Sequence, residues 1–111
     1  MSNITETSSI EIEDDKYGII TISLENAVSI YIYQESPRLG TFGISVPSTS
    51  VIPASTLYLT GKKDEHFVRM IGERIATKTQ KLVLVSLNVE DATNQLLTKL
   101  LEEIELILKK E

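Results

Sequence analysis

His66 is the only imidazole in the 111 residues, and there is no Cys. Thiolate catalysis, disulfides, zinc ribbons and any site with two imidazole ligands are excluded by those counts. General acid–base work at His66 would need a nucleophile or carboxylate set against it, and no such pattern is present. A solvated histidine beside Asp64 and Glu65 at a helix start accounts for it. Gly61-Lys62-Lys63 has the ending of a phosphate loop. The upstream glycine is missing, however, and Lys63 stands where Ser or Thr would hold magnesium. Asp14-Asp15 falls in a turn and Glu102-Glu103 on a helix surface, where water solvates both pairs. EF-hand spacing is absent. The expectation is no catalytic residue, no cofactor and no metal.

Charge is the next property that could carry function. The net charge is −5. Residues 1–55 hold seven acids against Lys16 and Arg38, whereas residues 56–111 hold nine of each sign. The first half therefore repels nucleic acid and anionic lipid. Lys62, Lys63, Arg69, Arg74, Lys78 and Lys81 gather along one predicted helix, diluted by Asp64, Glu65 and Glu73. A solvated helix face is the plain reading; in a chain of net charge −5 and without interleaved aromatics, this helix fits nucleic acid poorly. It suits an acidic protein surface, with Arg69, Arg74 and Lys78 as docking residues. The start MSNITETSSIEIEDD has no basic segment followed by an apolar one, as a signal peptide would. No apolar run approaches the roughly 20 residues that span a bilayer. Neither nucleic acid nor membrane is an expected partner, and the expected location is inside the cell.

The positioning elements follow from periodicity. Residues 1–9 are polar and read as a frayed terminus, with 10–111 as one domain. Period-two alternation runs through Ile10–Ile12, Tyr17–Leu24, Val28–Tyr33 and Thr41–Val46. Asp14-Asp15-Lys16, Glu25-Asn26 and the segment around Pro37 are the turns between them. Four strands joined in this way predict an antiparallel meander. PSTSVIPAS (47–55) reads as a surface loop, and Leu57 with Leu59 as a brief fifth strand. A helix is expected over about 63–78, with Phe67, Ile71 and Ile75 on its apolar stripe. LVLVSL after Lys81 is apolar on both faces and predicts a buried central strand. Asp91 is placed as N-cap of a last helix whose stripe runs from Leu96 to Leu108. The fold class is α+β, an antiparallel sheet of about six strands with two helices on one face.

Two strand faces result. Ile20, Ile22, Leu24, Val28, Ile30, Ile32, Phe42, Ile44 and Val46 form an apolar set that the helices are expected to cover. Thr21, Ser23, Ser29, Tyr31, Tyr33, Thr41 and Ser45, with Gly43, form the other. It has no charged residue between 17 and 33, and Tyr is enriched in protein interfaces whose cores lack charge. A solvated face of an antiparallel sheet is one reading of it; a protein interface is the other, with Thr21, Ser23, Ser29, Tyr31, Tyr33 and Thr41 as the residues expected in it, a dimer interface if the chain pairs as the resemblance given below implies.

At IGERIATKTQKLVLVSLNVED (71–91) the chain resembles the small proteasome assembly chaperones. Ile71, Arg74, Ile75, Ala76, Lys78, Thr79, Lys81, Val83, Val85, Ser86 and Asn88 match that family's basic helix and the apolar strand after it. SIYIYQESPRLGTFGIS is similar to its strand, Pro-containing turn and strand, and VIPASTLYLTG to the segment leading into the helix. The similarity covers about residues 10–105, in the order and spacing of chaperone types three and four. It implies pairing with a homologous assembly chaperone, as a heterodimer or a homodimer. It also implies binding to an α-type subunit of the 20S proteasome during α-ring assembly, in the cytoplasm or nucleus, without enzymatic activity. A small adaptor subunit of a trafficking or signalling complex is the alternative of a different class. An enzyme is a third, for which no constellation is present.

Overall fold

The computed structural model describes residues 4–61 and 63–109. Its elements are β1 (Thr5–Ile12), β2 (Asp15–Ser23), β3 (Ala27–Gln34), β4 (Thr41–Val46), β5 (Ser55–Thr60), α1 (Glu65–Thr79), β6 (Leu82–Asn88) and α2 (Asn94–Lys109). The strands form one sheet in the order β1-β2-β3-β6-β4-β5. Every neighbouring pair is antiparallel except β3–β6, which is parallel. The two helices pack on one face, giving the α+β class expected.

Three expectations about the elements are corrected. First, β1 begins at Thr5, so residues 5–9 are not frayed; Thr5–Ser9 pair with Gly18–Ile22. Second, the four-strand meander stops after β3. β4 does not pair with β3, because β6 lies between them. The uncharged sequence Leu82-Val83-Leu84-Val85-Ser86-Leu87 suits the middle of the sheet, where it displaces the local β3–β4 pairing. Third, α2 starts at Asn94 and is capped by Thr93, not Asp91. The Thr93 Oγ1 accepts from the Leu96 N–H at 3.1 Å, and the Thr93 carbonyl accepts from Leu97 N–H at 2.9 Å.

The core lies between sheet and helices. Ile19, Ile30, Ile32, Val83 and Val85 from the sheet have no exposed surface, nor do Ile71 and Ile75 of α1 or Ile104 of α2. Leu96, Leu97, Leu100 and Ile107 complete the buried stripe of α2. α1 sits close on β4 because small residues face it. A Cβ on Gly72 would come within 2.4 Å of the Ser45 Oγ, and one on Gly43 within 2.8 Å of Val68 Cγ1. Neither contact leaves room for a methyl group.

Candidate functional site

The face that carries no helix is built mostly from apolar residues. Cross-strand partners share a face, so the register assigns it. One row runs Ile22–Ser29–Leu84–Ile44–Tyr58 across β2, β3, β6, β4 and β5. The row beside it runs Ile20–Tyr31–Ser86–Phe42–Thr60. Ile20, Ile22, Tyr31, Tyr33, Phe42, Ile44 and Leu84 are all partly exposed, and Tyr58 is 54% exposed. β3, β4, β5 and β6 contain no charged residue at all. A solvated face of an antiparallel sheet normally carries polar and charged side chains. Beyond Glu11 and Lys16, paired at its β1–β2 corner, this one is a contiguous uncharged apolar surface, of the kind that marks a protein interface.

The hydroxyl set predicted for this face divides. Ser29, Tyr31 and Tyr33 lie on the open side. Thr21, at 0% exposed, and Thr41, at 6%, lie beneath the helices with Ser45, and Ser23 shares the phase of Thr21. The faces of β2 and β4 are thus the reverse of those expected, while β3 is as expected. In β2 the adjacent Ile19 and Ile20 give alternation no phase, and treating hydroxyls as solvent-facing picks the wrong one. The turn at Glu25-Asn26 held the answer. A two-residue turn there sets Leu24 against Ala27, and counting back sets Ile20 against Tyr31; Leu24 N–H donates to the Ala27 carbonyl at 2.8 Å. In β4 the missed signal was Gly43, which marks close approach of another element. Buried hydroxyls find partners under the helix. Thr41 donates to the Lys63 carbonyl, Ser45 and Thr56 share a 3.0 Å bond, and Thr56 donates to Glu73 at 2.6 Å. Thr21 Oγ1 has no partner.

The predicted basic patch is partly engaged within the chain. Arg74 Nε donates to Glu105 at 2.8 Å, and Lys78 stands 3.6 Å from the same carboxylate, which joins α1 to α2. The Arg74 hydrogen bond leads in holding the Glu105 carboxyl below its usual range. Arg74 and Lys78 are still 53% and 55% exposed. Arg69 is exposed one turn earlier. Lys63 instead caps the Val89 carbonyl at 2.7 Å and the Glu90 carbonyl, and Lys81 caps Leu24 at 2.9 Å. Lys62 lies outside the described residues. His66 is exposed, and no group of three or more His, Cys, Asp or Glu that could hold a metal occurs among the described residues. Tyr17 is buried at 7% exposure, and that burial, reinforced by Asp15, Asp91, Glu90 and Glu13, pushes its phenol up.

No protein-family model and no curated protein matches the sequence. Among solved structures, the chain is similar to one from the crystal structure of a novel chaperone complex for yeast 20S proteasome assembly. The two share 17% identity over 97% of this chain and 98% of that one, with a TM-score of 0.65. At that identity the likeness establishes the fold.

Proposed function

We propose that this protein is a non-enzymatic assembly chaperone of the 20S proteasome, working by protein binding as one member of a pair. The observation that carries the reading is the uncharged apolar sheet face left uncovered by the helices. A second chain of the same architecture would cover it, sheet against sheet, as in sandwiches whose inner faces interdigitate. The fold shared with a chain of a yeast 20S assembly chaperone complex supports the reading, as does the family resemblance of residues 10–105. The pair then takes an α-type proteasome subunit. Arg69, with the exposed heads of Arg74 and Lys78, is the docking candidate for that subunit's acidic surface. The site of action is the cytoplasm or nucleus.

Sedimentation of the chain alone, and mixed with a candidate chaperone of the same fold, tests the pairing. Tyr31→Glu and Ile44→Glu should abolish it while the monomer keeps its circular dichroism. Truncation of a tyrosine at an interface centre costs about 2 kcal/mol, roughly thirtyfold in affinity, and a buried carboxylate costs more. Pairing by both Glu variants as tight as the parent's would end this reading of the face. Co-purification with recombinant 20S α subunits tests the second half, and capture of none of them would reject it.

A further inference from the structure

The loop between β3 and β4 folds over one end of the open face. Gly40 N–H donates to Ser86 Oγ at 2.9 Å, and a Cβ on Gly40 would lie 2.1 Å from the Leu87 carbonyl oxygen. At the other end Ser36 N–H donates to the Gln34 carbonyl at 3.0 Å, after Glu35 turns the chain at φ 72°. Between these pins, Pro37, Arg38 and Leu39 join Ile20, Tyr31 and Tyr33 around a hollow of about 260 Å³. Leu39 is 70% exposed at its rim. Arg38 is the one charged residue that lines it, and neither ion pair found among the described residues includes it. We propose that this hollow is the socket in which the chain covering the sheet face places an apolar side chain next to a carboxylate, the carboxylate pairing with Arg38.

The inference rests on the sheet face being an interface. Its own support is charge complementarity. A guanidinium cannot lose its proton, so covering it demands an anion. Its planar fork donates two parallel hydrogen bonds to a carboxylate and stacks on tyrosine faces. A second copy has no carboxylate to offer from β3, β4, β5 or β6. On the open side of β1, Glu11 stands opposite Lys16 with Ser9 as its same-face neighbour, not beside an apolar side chain, so the occupant is a different chain, one with Asp or Glu set beside an apolar residue on its facing strand.

The test uses the intact protein and 3-phenylpropionate, a ring and a carboxylate small enough for the hollow. Nuclear magnetic resonance follows the Tyr31 and Tyr33 rings and the Arg38 Nε–H. Saturable shifts in the millimolar range are expected, at least tenfold weaker with 3-phenylpropionamide or with Arg38→Gln. No shift, or equal shifts from acid and amide, overturns the inference even if sedimentation finds pairing through the face. Selective shifts with no pairing by any partner overturn a protein side chain as the occupant. Arg38→Gln changes only an exposed side chain, so its fold should be unaltered, and circular dichroism checks that.

Discussion

Ile20 stands directly opposite Tyr31 in the β2–β3 pair, on the side of the sheet that no helix covers. The next pair, Thr21 opposite Ile30, points the other way, and both of its residues are fully buried. One step along either strand thus exchanges the open face for the core. Ile20→Asp should change stability by less than about 1 kcal/mol, as expected of a partly solvated position. Ile30→Asp should cost about 3–5 kcal/mol, or prevent folding, because it buries an unpaired charge. Urea unfolding of the two variants compares them directly, and equal losses would mean the faces are reversed.

Thr21 carries a hydroxyl with no hydrogen-bond partner at 0% exposure. Thr21→Val keeps the shape and removes the unsatisfied group. It should stabilise the protein by about 1 kcal/mol. A loss of stability on the same unfolding curve would show that the hydroxyl is bonded in solution.

Gly72 and Ser45 fix how closely α1 lies on β4. Gly72→Ala should destabilise by about 1–3 kcal/mol through overpacking, less the helix-propensity gain of about 1 kcal/mol for Gly to Ala. Ser45→Gly removes the atoms that the new methyl meets, so the double variant should recover part of that loss. A double-mutant cycle measures the coupling, and strict additivity would deny the contact.

The lowered carboxyl of Glu105 has a pH signature. Its folded pKa lies below the ordinary value of 4.5, so its contribution is complete above that value. It fades as pH falls through the folded pKa. Both partners are partly exposed, which limits the contribution to about 0.2–1 kcal/mol. The stability gap between the parent and Glu105→Gln should therefore be small at pH 7 and should shrink as the pH falls below 4.5. A gap that grows on acidification would contradict the assignment.

Much of the fold was legible in the residues. Period-two alternation located β2, β3 and β4, and the stripe from Leu96 to Leu108 located α2. The apolar run Leu82–Leu87 marked a central strand, but nothing local says between which strands it inserts. That choice is a long-range competition for edges. Which side of β2 and β4 faces the helices was lost for a different reason. Small hydroxyls such as Thr41 and Ser45 serve close helix packing as readily as they face water, so polarity alone misassigns them. Tyr31 and Tyr33 were legible because β3 alternates without ambiguity. The Arg38 socket was not, because it joins a loop to strands that only the folded chain brings together.

The insertion of β6 between β3 and β4 also dictates when this protein can become itself. On a ribosome, the β1–β2–β3 sheet and the β4–β5 hairpin emerge first, each with the edge that β6 will fill still open and no α2 above it. They cannot join until Leu82–Asn88 has been made, and that strand comes after more than two thirds of the chain. Pairing so remote in sequence is slow to nucleate, and its open edges are prone to misassociation while they wait. A nascent chain that stalls before Leu82 therefore has nothing to zip its two halves together.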